Sequence, residues 1–285
     1  MIAMTEKKQR LNIIWSEFII WDISLSKTTE LEILNGLKNL NHNVELIALR
    51  SRDKSIEKTR VRFTLIPLRN VRLLTPIMFT FVQSLLLSLR IAFSKVDIII
   101  TEPGVNILGF FPAFLCGKLK KTKFVLDIRS PPTDASSHFL WVLENISFDV
   151  SIFIAKRFFD GITIITPQMS DEICQRYNVS KGLVGIWPSG VSTSVFNPDK
   201  YSLERNRLKK TLGLDGKFVV FHHGFLAEDK GLKESVEAMV LLRSVYPDIV
   251  LFILGSGPFE QELKAMIISQ NLTDCVRIHE PVDSF

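Results

Sequence analysis

Cysteine is scarce in this chain. Cys116, Cys174 and Cys275 are odd in number, far apart and without any CxxC or Cys/His spacing. That argues against a disulfide framework or a structural zinc and implies a reducing compartment. No Asp-x-Asp pair occurs either, so there is no obvious carboxylate pair of that spacing to hold a divalent ion. A secretory leader is not legible: Lys7, Lys8 and Arg10 precede an apolar stretch that Ser16 and Glu17 interrupt. The chain therefore reads as cytoplasmic, and the sequons at Asn145, Asn178 and Asn271 carry no meaning there. Basic residues are not interleaved with aromatics in a stacking pattern, which speaks against nucleic acid as a partner.

What is present is a large apolar fraction. Hydrophobic residues make up 46% and charged residues 23% of 285, enough for a substantial buried core and against disorder. The length exceeds one ordinary domain and falls short of two, so one whole domain and part of another are expected. A net charge of +5 is concentrated between Arg50 and Arg72. Such a stretch suits a solvated loop and edge strand, or contact with anionic lipid or a phosphorylated ligand.

Short apolar runs alternate with helical stretches, the pattern of a parallel sheet covered by helices. Strands are expected at 11–15, 43–49, 61–67, 97–101, 123–127, 161–165 and 183–186. Helices are expected at 29–40, opened by a capping box of Thr29 and Glu32, and at 75–94, 139–159 and 169–177. The Trp187-Pro188-Ser189-Gly190 cluster ends this first α/β unit, which gives domains of 1–190 and 191–285. After a bridging helix at 203–212, strands at 218–222, 249–254 and 276–279 alternate with helices at 232–245 and 258–270. Three strands and two helices make half a Rossmann-like sheet, so an uncovered apolar face and strand edge are expected. The apolar stretch 73–92 has the length of a membrane span. Pro76, Gln83, Ser84, Ser88 and Arg90 interrupt it, and it sits inside a βα repeat, so a buried or interfacial helix is the preferred reading, with peripheral contact at a membrane surface open.

Ligands of open parallel sheets bind at the carboxyl ends of the strands. The run 249–254 leads into Gly255-Ser256-Gly257-Pro258, where glycines let a ligand approach the backbone and a helix start attracts phosphate; a plain tight turn would use the same glycines. The run 218–222 leads into His223-Gly224, with Lys230 close to the next helix start, where an ammonium could neutralise a diphosphate or simply be solvated. His222 and His223 are adjacent in a strand and point to opposite faces, which disfavours a metal pair. Asp127 and Arg129 follow the strand at 123–127 and read either as acceptor-contacting groups or as an ion pair that holds the loop.

The stretch HHGFLAEDKGLKESVEAMVLLRSVYPDIVLFILGSGPFEQEL resembles the donor-binding half of glycosyltransferase family 4, and WPSGVSTSVFNP is similar to that family's domain-junction segment. The likeness implies an α/β chain of two Rossmann-like domains (the GT-B arrangement), the second incomplete. It implies retaining transfer of a sugar from a nucleotide-sugar donor to a glycan or lipid-linked acceptor, without a resident cofactor or obligatory metal. By that resemblance Gly224, Lys230, Gly255, Ser256 and Gly257 bind the donor, and Asp127 and Arg129 are the catalytic, acceptor-side pair.

The chain departs from the family's pattern in several places. Phe225 stands where an arginine is common, Ser189 and Ser192 replace junction residues, and no glycine lies between residues 16 and 26, where Lys27 and a helix start offer a substitute anion site. The family's paired glutamates of the donor domain would fall past Phe285. Little turnover is expected without them. The leading expectation is an enzyme building a surface polysaccharide or glycolipid, cytoplasmic and peripheral at the inner membrane face. The alternatives are a non-catalytic subunit needing a partner chain, and a nucleotide-sugar epimerase using His138 and Asp127.

Overall fold

A computed structural model describes residues 9–18, 27–49, 61–68, 74–132, 138–190, 193 and 196–282, with Lys27, Thr28 and His138 described in backbone only. The chain divides into two compact units, Met1–Val191 and Ser192–Phe285. Most of the basic stretch between Arg50 and Arg72, the side chain of Lys27, and the junction residue Ser192 lie outside the described residues.

The first unit is a seven-stranded parallel sheet. In chain order it runs β1 (Asn12–Ser16), α1 (Lys27–Asn39), β2 (Asn43–Leu49), β3 (Arg62–Ile66), α2 (Leu74–Phe93), β4 (Ile98–Thr101), α3 (Phe110–Lys120), β5 (Lys123–Ile128), α4 (His138–Phe158), β6 (Gly161–Ile164), α5 (Pro167–Tyr177) and β7 (Val184–Ile186). The spatial order is β3-β2-β1-β4-β5-β6-β7. These strands are near-continuous apolar runs because both faces of the sheet are packed. Ile14, Ile47, Ile99, Leu126 and Ile162 meet Phe79, Phe110 and Ile152 on one face. Ile13, Trp15, Leu46 and Ile100 meet Leu34 on the other. Each such side chain, fully buried, contributes about 1.5–3 kcal/mol, and so the sheet is the stable platform of the unit. The order reverses between β1 and β4, and the crevice past their carboxyl ends is where a doubly wound sheet takes ligands.

Helix ends follow local chemistry. Thr166 caps α5, its hydroxyl oxygen accepting from the Met169 amide at 3.1 Å with Pro167 in the first turn, and Asn178 ends the helix at φ 51°. The expected capping box at α1 is not there. The helix is already turning at Lys27, so Thr29 has no terminal amide to cap and sits inside the helix with Glu32.

Helix α2 joins β3 to β4 and buries Thr75, Phe79, Gln83, Leu87 and Ile91, one residue in four along a narrow stripe. Its outward side is also apolar: Ile77, Phe81, Leu85 and Phe93 are exposed, Phe93 by 84%. It is the one helix among the described residues long and apolar enough to cross a membrane.

The second unit holds α6 (Ser202–Thr211), β8 (Phe218–His223), α7 (Leu232–Val245), β9 (Ile249–Leu254), α8 (Glu260–Ser269) and β10 (Val276–His279). Its parallel sheet is ordered β10-β9-β8. Along β9 the period of two is clear: Ile249, Leu251 and Ile253 enter the core with Val236 and Leu263, while Val250 and Phe252 face Leu214 on the other side. Strand β8 is an edge, and it leaves Phe218, Val220 and Phe221 exposed, the uncovered apolar surface expected of a half sheet. Helix α8 starts two residues later than Pro258, because the turn after Gly257 is closed by a Glu260 amide donating to the Gly257 carbonyl at 3.2 Å.

Candidate functional site

In the first unit the carboxyl ends of β1, β4 and β5 converge on a cavity of about 580 Å³. Two glutamates line it, and a third lies beside them. Glu17 continues β1, its amide donating to the Ile47 carbonyl at 3.0 Å. Glu102 directly follows β4, and Glu30 of α1 lies next to both. One carboxyl oxygen from each lies within 4.8 Å of the others. Glu17 and Glu30 are each only 6% exposed. Burial, then the charges of Glu102 and Glu30, push the Glu17 carboxyl well above the usual carboxylate range. Burial first, then Glu30, raises Glu102 to about 7. Carboxylates out of water and beside one another cannot all ionise cheaply, so this corner holds protons near neutral pH.

The expected pair Asp127 and Arg129 stands at the end of β5. Asp127 is fully buried and accepts from Arg129 Nε at 2.6 Å and from Thr163 Oγ1 at 2.5 Å. The ion-pair reading of these two residues is therefore realised in the fold. Arg129 keeps more to offer: its guanidinium lies 5.6 Å from the ring centre of Trp187, and both terminal nitrogens are buried without a hydrogen-bond partner. Arg129 lines the same cavity as Glu17 and Glu102. Trp187 belongs to the junction cluster, its amide donating to the Ile164 carbonyl at 2.8 Å, so the junction motif also positions the arginine. Glu17 and Glu102 went unnoticed in the sequence except as the ends of apolar runs. Their signal was position, one glutamate after each strand at the point where the sheet order reverses.

In the second unit the loops after β8 and β9 are zipped together. The Gly224 amide donates to the Leu254 carbonyl at 3.0 Å, the Leu226 amide to Ser256 at 3.0 Å and the Phe259 amide to Leu226 at 3.1 Å. A Cβ on Gly255 would stand 1.9 Å from the Gly224 oxygen, and one on Gly257 2.2 Å from the Leu226 oxygen. Both positions must be glycine because another backbone passes there. The Gly255 amide is spent on the His279 carbonyl at 3.0 Å. Gly224 (φ 141°) and Gly231 (φ 67°) supply left-handed backbone at the two ends of the β8 loop. Lys230 ends a short 3-10 turn, Glu228–Lys230, immediately before α7. Its ammonium is paired with Asp229 at 2.5 Å and remains partly exposed. Gly224, Lys230, Gly255, Ser256 and Gly257 are thus gathered along the carboxyl edge of one small sheet. His222 and His223 fall on opposite faces of β8, and among the described residues the group spaced to hold a metal ion is the glutamate trio of the first unit.

Two α/β units, with strand-end loops built in this way, define a protein of the two-Rossmann-domain class. Comparison with known families places it further. Residues 28–195 match the model of glycosyltransferase family 4, and residues 204–284 that of glycosyl transferases group 1. The chain belongs to glycosyltransferase family 4. A D-inositol 3-phosphate glycosyltransferase of Arthrobacter is 35% identical over 136 residues, 45% of this chain and 31% of that protein. A 2-deoxystreptamine glucosyltransferase of Streptomyces kanamyceticus is 27% identical over 119 residues, 40% of this chain and 30% of that protein. The matches thus span about a third of these relatives' length. Among solved structures, a glycosyltransferase from Rickettsia africae superposes with a TM-score of 0.71 at 14% identity, covering 96% of this chain and 69% of that one. Anabaena Alr3699/HepE in complex with UDP-glucose does so with a TM-score of 0.68 at 13% identity, covering 96% and 70%. At such identities the superpositions establish the fold.

Proposed function

We propose that this chain carries the donor and acceptor sites for retaining transfer of a sugar from a nucleotide-diphosphate-sugar to a glycan or lipid-linked acceptor, with little turnover expected of it alone. The donor's diphosphate rests on the second unit, at Gly224, Lys230, Gly255, Ser256 and Gly257, and the acceptor on the first unit, at Asp127 and Arg129. The observation that supports this best is the zipped pair of loops after β8 and β9. It fixes one lysine, two close-packed glycines and the start of α7 on one edge, the combination that compensates charge on a leaving diphosphate. Lys230 would exchange Asp229 for phosphate on binding. No metal ligand is assigned to the donor, so the positive charge comes from Lys230 and from backbone dipoles.

UDP and UDP-glucose are suitable probes, since a structural relative binds the latter. Titration calorimetry of the full chain should give saturable binding that Lys230→Ala weakens by about tenfold to a hundredfold, as loss of a charge-assisted hydrogen bond implies. Binding unchanged by Lys230→Ala would remove the donor assignment.

We also place the chain at the inner face of a membrane. Phe111, Leu115 and Leu119 of α3, which packs on α2, are exposed as well, and neither helix carries an acidic residue. Phe93, Lys95, Lys120 and Lys121 line one shallow cavity where the two helices end. An apolar surface rimmed by lysines suits the headgroup region of anionic lipid.

A further inference from the structure

We propose that α4 joins α2 and α3 in one membrane-contacting face, so that the mouth of the first unit's cavity opens at the lipid head groups and the acceptor is a lipid of that membrane. The inference rests on placing the chain at a membrane and on reading the first unit as the acceptor side. It narrows the acceptor from glycans at large to lipids whose head group carries the receiving hydroxyl.

Helix α4 repeats the construction of α2. It buries Phe148, Ile152 and Ala155 against the face of the sheet that α2 and α3 also cover. On its other side Phe139, Ile146, Val150 and Phe153 are exposed, and their spacings of seven, four and three residues put them on a single stripe. Packing of the core accounts for the first set and not for the second. The three helices stand side by side. A Cβ on Gly109, just before α3, would lie 2.6 Å from the Thr80 oxygen of α2, and Phe114 of α3 meets Phe158 of α4 edge-on with ring centres 5.7 Å apart. Their outward stripes therefore form one apolar surface three helices wide, and a monomer in water rarely keeps so broad a patch uncovered.

Charge names the partner. Each helix follows a strand of a parallel sheet, so all three end at the same edge. There they carry Arg90, Lys118, Lys120, Lys156 and Arg157, with Lys95 and Lys121 just past them. Glu45 balances Arg90 and Asp97 balances Lys95; the others leave that edge positive. The acidic residues of α4 are turned elsewhere, Asp149 to the Tyr177 hydroxyl and Glu144 to the cavity. A positive edge beside protruding phenylalanines suits an anionic leaflet, where rings enter the head-group region and cations meet phosphates. A second copy of the chain would bring only more of the same charge.

The cavity lies at the opposite end of these helices. Its walls include Pro76 in the first turn of α2, Val105 in the 3-10 turn Val105–Gly109 ahead of α3, and Leu140 and Leu143 in the first two turns of α4. Exposed apolar side chains flank them in each element: Ile77 and Met78 beside Pro76, Leu108 after Val105, and Phe139 beside Leu140. The face that rests on lipid thus runs into the cavity's wall. A lipid can follow that surface with its chains still in the bilayer, whereas a soluble glycan gains nothing from an apolar approach.

Tryptophan reporters test this, with the full chain and vesicles of phosphatidylglycerol and phosphatidylcholine whose brominated acyl chains quench a ring that enters the bilayer. Phe153→Trp and Phe139→Trp on α4, and Phe81→Trp on α2, should lose most of the emission they add; Leu241→Trp, exposed on α7 of the second unit, should lose none. A nitroxide on the lipid head group should quench native Trp141, next to Leu140, and that loss should disappear in Trp141→Phe. Both α4 reporter sites are exposed, and either carries the test if the other variant fails to fold. Quenching of Phe81→Trp without quenching on α4, or a Trp141 emission that the head-group label leaves unchanged, overturns this inference and leaves the membrane placement standing. Failure of the parent chain to bind these vesicles removes both. A dimer in sedimentation that Phe153→Ser dissociates, with no vesicle binding, assigns the face to a second copy instead. UDP binding measured on the same samples reports on the donor side separately: intact UDP binding with unquenched α4 reporters sinks this inference alone.

Discussion

Asp127 has no exposed surface and gives its two carboxylate oxygens to Thr163 and Arg129. Removing it strands a mostly buried guanidinium beside the Trp187 ring, so Asp127→Ala should destabilise the chain by about 3 kcal/mol, the usual cost of half a buried pair. Chemical denaturation measures that directly. The glycines of the second unit separate two mechanisms. Gly255→Ala puts a methyl 1.9 Å from a backbone oxygen and should cost about 3 kcal/mol by forcing the two loops apart, with loss of UDP binding. Gly231→Ala meets only the far end of Glu234 at 4.0 Å, with φ at 67°. It should cost only about 1 kcal/mol, from the left-handed backbone. The glutamate trio adds a pH dependence whose sign follows from its shifts. Glu102 has a folded value of about 7, above its ordinary 4.5, so the folded chain binds more protons than the unfolded one between those values. Its contribution is therefore fully present below about 4.5 and lost as pH rises through 7. Urea titrations at pH 5 and pH 8 should show the parent losing more stability over that interval than Glu102→Gln, by on the order of 3 kcal/mol.

Helix α2 shows how one element serves two surroundings. Its stripe at Thr75, Phe79, Gln83, Leu87 and Ile91 is buried against the sheet, and Gln83 is held by donating to Ser16 Oγ at 2.9 Å. The opposite side, with Phe81 exposed by 72% and Leu85 by 62%, contributes nothing to that packing. Phe81→Ser with Leu85→Ser should leave stability within about 0.5 kcal/mol while lowering flotation with anionic vesicles severalfold. Full flotation of the double variant would remove the membrane assignment. Strand β8 is the corresponding exposed element of the second unit. Phe218 and Phe221 point to opposite faces and are exposed by 69% and 55%. Lysines at both should reduce self-association in light scattering, since a charged edge no longer templates another strand.

At the scale of the whole molecule, each unit has its own core, and the proposed donor and acceptor sites fall on different units. The net charge of +5 acts at this scale too. If the lysines around α3 draw the chain to anionic lipid, vesicle binding should fall steeply between low and physiological salt and be absent on neutral vesicles. Salt-insensitive binding would point to apolar insertion alone.

The sequence by itself determined the alternation of strands and helices, because a run such as 249–254 is apolar at every position and a parallel sheet packed on both faces accommodates that. It also determined which loops are glycine-rich. The start of α1 was not legible, since Thr29 and Glu32 have the capping spacing but the helix begins before them. Nor was the use of Gly255 and Gly257, which pack against the backbone of Gly224 and Leu226 from about thirty residues earlier. Only the tertiary structure could bring Glu17, Glu30 and Glu102 together, because their closeness depends on strand order and not on spacing. Three glutamates up to 85 residues apart become one buried, proton-holding cluster once β1 and β4 lie side by side.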